Sequence, residues 1–376
     1  MTKRLAALCA IGLAAASWSC GSSTPPPPPT PTPAPAAAPT PTPAPEVTGP
    51  VAPGPRLYVS DETGGNIVII DPATGNLLKR IAVGKRPRGL RLSADGTQLF
   101  VALSGSPIAG PKVDVSKLPP ADRSADGIGV VDITTGRVIR VLKSGQDPET
   151  FDLSADGKSV FVSNEETAEM SIVDVASGEV RSRVKVGEEP EGVTLRPGGR
   201  EVYVTSEGSQ SVSIIDTAKK TVVATVKTEP RPRAIGFTPD GATALISNEM
   251  GASITVVDAR THREQSLIKI PNATGEVAPS RPMGVSVSAD GKLAFVTLGR
   301  TRAVAVLDLV KMTFVRMIEN VGERPWGLAQ TPDGSTLFTA NGPSGDVSII
   351  DAATGTVRQR VMAGGSPWGV IYAPLR

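Results

Sequence analysis

At seven prolines spaced along this chain, 87, 148, 190, 232, 282, 325 and 367, the second residue on is Gly, Ala or Thr, and the residue held between them changes. Those residues are Arg88, Glu149, Glu191, Arg233, Met283, Trp326 and Trp368. The residue before each proline changes as well, from Arg86 through Asp147, Glu189, Arg231, Arg281 and Arg324 to Ser366. Guanidinium groups take carboxylates through paired hydrogen bonds, and indoles offer flat apolar faces with a polar edge. The pattern therefore marks Arg86, Arg88, Glu149, Glu191, Arg231, Arg233, Arg281, Arg324, Trp326 and Trp368 as a candidate set for a small anionic or aromatic ligand, or for a partner protein of the cell envelope. Two plainer readings stand beside it. Charged loop residues also form solvated rim salt bridges of little energetic value, and equivalent tryptophans 42 residues apart can pack a seam.

A further set of acids, Glu62, Glu165, Glu207 and Glu249, recurs at matched positions. Carboxylates at Glu165, Glu207 and Glu249 are the candidates for a hard metal such as calcium, or for a lactonase-like hydrolysis. Other catalytic chemistry finds little support. The single histidine, His262, falls in a turn, and the sequence has no Cys-x-x-Cys-His and no His/Cys cluster. Neither does a serine nucleophile with a histidine base assemble. The first reading is a non-catalytic binding or scaffold module, with a carboxylate- or metal-dependent hydrolase as the alternative and nucleic-acid binding through the arginine-rich arc as the third. No cofactor can be named from the residues.

The elements that must position these side chains are written in the repeat. An Asp ending an apolar strand recurs at Asp71, Asp132, Asp174, Asp216, Asp258, Asp308 and Asp351, spaced 61, 42, 42, 42, 50 and 43 residues apart. The prolines at 87, 148, 190, 232, 282, 325 and 367 keep the same rhythm. Tight-turn signals such as "ADG" (94–96, 155–157, 289–291) and "PDG" (239–241, 332–334) punctuate each unit. One unit, 189–226, divides into four short strands, Gly192–Leu195, Glu201–Thr205, Ser211–Asp216 and Val222–Val226. Seven such units predict an all-β, seven-bladed β-propeller of four-stranded antiparallel blades. The chain starts with three strands (56–59, 66–71, 77–83) and stops after a lone one (367–372), so the two ends are expected to share a blade and close the ring. Two insertions, 104–126 and 271–280, lengthen the regular unit on the face that carries the arginines. The Asp at the end of each third strand is expected to serve the turn that follows.

Composition agrees. Gly (39) and Pro (35) are plentiful and aromatics are 3% of the 376 residues, which suits short strands and many turns. A formal net charge of +2 gives no global field to gather nucleic acid or anionic lipid. The N-terminus reads as an export signal over 1–19, with Lys3 and Arg4 before the apolar run 5–16. Cys20 stands where a bacterial lipoprotein is cleaved and acylated, with an ordinary secretory signal as the alternative. Residues 20–55, dense in "PTPTPAP", form no core and are expected to run as an extended tether. The propeller then occupies 56–376. A monomer in the periplasm or cell envelope, held to a membrane by its lipid anchor alone, is the expected state.

The motifs "YVSD" (58–61), "FVSN" (161–164), "YVTS" (203–206) and "ISNE" (246–249), each followed by a "VSIID"-like strand and a proline return, resemble the YVTN-type seven-bladed propellers, which include YncE-like proteins. Within that group, 144–166, 186–193, 229–241 and 341–357 are similar to exported propellers associated with PQQ-dependent catabolism. The resemblance implies that each Pro-x-Gly starts the strand nearest the central channel, and a link to periplasmic quinoprotein metabolism.

Overall fold

The strands form where β-branched residues alternate between Gly-, Asp- and Pro-rich turns. A computed structural model of the protein describes residues 53–108, 114–272 and 278–374, together with the backbone of Thr42–Pro43. Cys20, the signal and most of the tether lie outside the described residues, and so do parts of both insertions. Thr42–Pro43 runs parallel to the strand Val357–Met362, opposite Val361 and Met362.

Seven antiparallel sheets follow one another. Blades one to six carry Pro87, Pro148, Pro190, Pro232, Pro282 and Pro325 in turn. In blade three the strands are Pro190–Leu195, Glu201–Ser206, Ser211–Asp216 and Thr221–Lys227, paired in sequence order. Blade seven is composite. Pro367–Ala373 from the C-terminal end pairs with Arg56–Asp61, Leu57 opposite Tyr372, and Asn66–Ile70 and Leu77–Ala82 complete it. Two further bonds lock the closure: Ser366 N donates to Asp61 Oδ1 (2.8 Å) and Glu62 N to the Ser366 carbonyl (2.9 Å).

The core is divided among the seams. Seven apolar clusters each join strands of two adjacent blades, as where Tyr58 and Ile67 of blade seven meet Leu90, Leu99 and Val101 of blade one. Each repeated Asp serves its turn, with Asp71 Oδ1 accepting from Ala73 N (2.8 Å) and Asp351 Oδ1 from Thr354 N (2.9 Å).

First strands surround the channel, and neighbouring blades touch there through backbone. The fifth residue of the second strand is a hydroxyl residue in five blades. It donates to the carbonyl of the residue after proline in the next blade: Ser60 to Arg88 (2.7 Å), Ser163 to Glu191 (2.7 Å), Thr205 to Arg233 (2.6 Å), Ser247 to Met283 (2.6 Å) and Thr297 to Trp326 (2.9 Å). The glycine of Pro-x-Gly makes this approach possible. A Cβ on Gly327 would stand 2.7 Å from the Trp368 carbonyl oxygen, and one on Gly192 would stand 2.1 Å from that of Arg233. Thr150 replaces this glycine in blade two and keeps the contact by donating to the Glu191 carbonyl (2.6 Å).

Gly327→Ala is expected to lower stability by about 1–3 kcal/mol, because the added methyl meets backbone on three sides and no side chain can step aside. A urea or thermal midpoint equal to the parent's would show that the blades are not held this closely.

Candidate functional site

The loops entering the first strands and those leaving the second are bonded to each other within a blade, as Glu249 N to the Arg231 carbonyl (2.8 Å) and Glu207 N to the Glu189 carbonyl (2.9 Å). Both sets therefore share one face. They enclose a cavity of about 480 Å³ at the mouth of the channel, bordered by six arginines and six acidic residues. All ten residues of the candidate ligand set border it: Arg86, Arg88, Glu149, Glu191, Arg231, Arg233, Arg281, Arg324, Trp326 and Trp368. Ser106, Pro107 and Ile108 of the first insertion form part of the wall, and the Arg86 guanidinium donates to the Ser106 carbonyl (2.9 Å).

The charges follow a rule. The acid after the second strand of one blade reaches the residue before proline in the next. Glu62 holds Arg86 (3.0 Å), Glu207 holds Arg231 (2.6 Å) and Glu249 holds Arg281 (2.9 Å). Between blades one and two the partners are Ser104 and Asp147, joined at 2.5 Å. Three further seams depart from the rule, and in the one between blades six and seven the two positions are the uncharged Gly342 and Ser366. Glu165 faces the slot of Glu189, a like charge, and Glu189 is exposed instead. In blade five the position of Glu249 is taken by Gly299, so Arg324 has no carboxylate within ion-pair distance among the described residues. Burial pushes the Arg324 guanidinium below its usual range, with Arg233 and Arg281 adding to the effect against Glu249.

Two arginines lie deeper. Arg88 pairs with Asp147 (3.0 Å) and with Glu149, and Arg233 with Glu191 (2.8 Å), Glu207 (2.7 Å) and Glu249 (2.9 Å). Burial works against both charges, but these acids outweigh it and hold both guanidiniums ionised. The acids respond in the other direction. Burial pushes the Glu149 and Glu165 carboxyls up, and Glu191 adds to both shifts. Glu207 is pushed up to about 7 by burial and by Glu191.

Of the three metal candidates, Glu207 and Glu249 are engaged by arginines. Glu165 joins Asp147 and Glu149, with one oxygen of each within 4.8 Å of the others. Arg88 already balances two of those three carboxylates, so the donor set is not left free for a hard cation. Trp326 and Trp368 stack across the seam of blades six and seven, ring centres 5.8 Å apart and 20° from parallel. Arg324 lies 4.6 Å and Arg233 5.4 Å from the Trp326 ring centre. The pair is thus both seam and wall. His262 bonds Glu201 (2.9 Å) and does not border the cavity.

Asp147 and the 106–108 wall are absent from the candidate set read from sequence. Asp147 occupies the same slot as Arg86, which was the available signal. The insertion offered none beyond its length.

A family model for choice-of-anchor I domains matches residues 164–336, and one for YNCE-like beta-propellers matches 110–200. No curated protein matches the chain at a significant level. Among solved structures the chain is similar to the periplasmic gluconolactonase PpgL of Pseudomonas aeruginosa, at 21% identity over 86% of this chain and 99% of that one, with a TM-score of 0.69. It is also similar to a protein from Lactobacillus plantarum (16%, 86% and 100%, 0.70) and to the hydrazine synthase of Kuenenia stuttgartiensis (23%, 72% and 79%, 0.59). At these identities the likeness is one of fold. Seven four-stranded blades, closed by both chain ends and opening in a charged mouth, define a seven-bladed β-propeller. Within that fold, the stretch 110–200 is similar to the YNCE-like beta-propellers.

The raised acids make stability depend on pH. Glu149, Glu165 and Glu207 bind protons more readily folded than unfolded, so their contribution is full below the ordinary value of 4.5 and is lost as pH rises, for Glu207 through about 7. Denaturation midpoints are expected to fall between pH 4.5 and 7, and Glu165→Gln to flatten part of that fall. A parent profile that rises across this window would show the three carboxyls to be ionised and fully compensated.

Proposed function

We propose that this protein is an exported, lipid-tethered binding propeller whose mouth takes a small carboxylate-bearing ligand, with Arg324 as the anchoring charge. The observation that carries the reading is the break in the pairing rule. Every other arginine of the mouth has an acidic partner, whereas Arg324 is half-buried beside two more arginines and the tryptophan stack without one. An anion placed there relieves an uncompensated charge. The acids across the cavity suit a ligand with hydroxyl groups, and the indoles suit a flat or apolar face. The paired arginines leave little free positive surface for a phosphate backbone, which weighs against the nucleic-acid reading.

A second reading is hydrolysis of a lactone. It is favoured by Glu149 and Glu165 at the cavity wall, whose carboxyls burial pushes up toward the proton-bound form a general acid needs, and by the fold shared with a gluconolactonase. The resemblance to propellers associated with PQQ-dependent catabolism adds quinone carboxylates to the ligands worth trying.

Trp326 and Trp368 are the only tryptophans of the propeller, so intrinsic fluorescence reports on this mouth. Gluconate, its lactone, benzoate or a quinone carboxylate is expected to change it saturably. Arg324→Ala is expected to weaken binding by about 1.5–3 kcal/mol, the range for a hydrogen bond to a charged group. Linear, unsaturable quenching by all four, unaltered in Arg324→Ala, would remove the binding reading; lactone opening abolished by Glu149→Gln would move the assignment to the hydrolase.

For the tether, Cys20→Ala is expected to shift the protein from the membrane fraction to a released or unprocessed form. A parent chain that fractionates entirely as soluble protein would show that no lipid is attached.

A further inference from the structure

The mouth does not end at its floor. A second cavity of about 180 Å³ lies within the ring of first strands, and Glu191, Arg233, Trp326 and Trp368 border both spaces. These four form a collar where the two meet. Beyond it the wall is mainly apolar, built from glycine backbone and from Leu90, Val193, Ile235, Val285, Leu328 and Val370, while the hydroxyls of Thr150 and Thr194 are turned to backbone carbonyls of Glu191 and Ile235. The charged groups bordering it are already matched, Arg233 by Glu191 at 2.8 Å and Arg91 by Asp152 at 2.9 Å, so no unpaired charge asks for water there. An apolar space of about 150 Å³ is large enough to hold a benzene ring and stays dry when empty.

Resting on the binding reading above, we propose that the ligand is amphiphilic: a carboxylate head held by Arg324 at the mouth, and an apolar tail of roughly six to eight carbons, or one phenyl ring, passed through the tryptophan collar into the channel. The head meets a cation with no carboxylate partner and the tail meets the mainly apolar lining of the channel. A ligand with only one of these features leaves the other half of the site unfilled. The glycines set the spacing of the first strands around the channel, since a Cβ on Gly192, Gly284, Gly327 or Gly369 would meet the backbone of the next blade.

The test is a series of straight-chain carboxylates from acetate to decanoate, with the matching alcohols, titrated against the intact propeller by tryptophan fluorescence and calorimetry. Affinity is expected to rise about fourfold for each methylene, the equivalent of about 0.8 kcal/mol, and to level off near eight carbons as the channel fills. Val285→Thr and Leu328→Gln, which make the wall polar at two independent places, are expected to flatten the series while leaving binding of the shortest acids unchanged. Arg324→Ala should weaken every acid by the same factor and leave the alcohols unaffected. If short carboxylates bind through Arg324 but chain length has no effect, the channel proposal is overturned and the binding reading stands. If no member binds and Arg324→Ala changes nothing, the binding reading itself fails. A length dependence equal for acids and alcohols, and unmoved by both wall variants, also overturns the proposal, because the tail then rests on some other surface.

Discussion

The hydroxyl that five of the seven blades extend to the carbonyl of the next is the contact on which the mouth depends. It fixes the backbone at the residue after proline, whatever side chain that residue carries, and so separates position from identity. Ser60 grips Arg88 and Thr297 grips Trp326 with the same geometry, although one residue is buried among acids and the other stacks on an indole. Two blades, with Ala102 and Ala340 at this position, do without the bond. There the glycine contact alone sets the spacing, as at Gly327 against the Trp368 carbonyl. A ring built this way can vary its lining residue by residue without altering its radius.

Freedom of lining has an electrostatic consequence. Charges set at the mouth are partly removed from water, so each needs a partner, and the nearest available one lies on the adjacent blade. The result is a chain of ion pairs across seams, from Glu62 to Arg86, Glu207 to Arg231 and Glu249 to Arg281. Buried pairs of this kind contribute little net stability, because desolvation offsets most of the attraction. What they do supply is definition: guanidiniums held from two or three sides cannot collapse onto a neighbour. Against that background the positions where the chain of pairs fails, Arg324 and Glu165, are where the cavity keeps an unmatched guanidinium and a carboxyl that burial pushes above its usual range.

How much of this could be read in the sequence follows from the same geometry. The Asp and Pro markers sit at equivalent points of every blade, so blade number, strand order and ring closure were legible, with strand ends displaced by a residue or two, as at Pro190 and Ser206. The face carrying the variable residues was legible too, because bonded loops in one blade imply it for all. The carboxylate grouping was not. Equivalent positions of different blades are spread around the ring, so Glu165, Glu207 and Glu249 do not form one carboxylate cluster, and Glu207 and Glu249 meet through the Arg233 guanidinium between them. Convergence arises between different positions of one blade, as with Asp147, Glu149 and Glu165. That arginines and glutamates of adjacent blades would pair at the rim was legible, but which acid reaches which arginine was not, since the rule joins the end of one unit's second strand to the start of the next unit.

Backbone conformation adds a final argument for why these side chains are present. The residue before proline takes a positive φ in five blades, at Arg86 (44°), Asp147 (51°), Glu189 (51°), Arg231 (59°) and Arg324 (49°). Glycine would adopt that conformation at lower cost, and in blade seven the turn is indeed made by Gly364 and Gly365, with φ of 82° and 54°. Holding a side chain there costs on the order of 1–3 kcal/mol at each position. For Arg86, Asp147 and Arg231 the ion pairs and hydrogen bonds at the rim account for the choice. Glu189 keeps the same backbone while exposed to water, whereas Arg324 keeps it half-buried, with the Trp326 face at 4.6 Å as its partner in place of a carboxylate, so its charge is the one at the rim left for a ligand to meet.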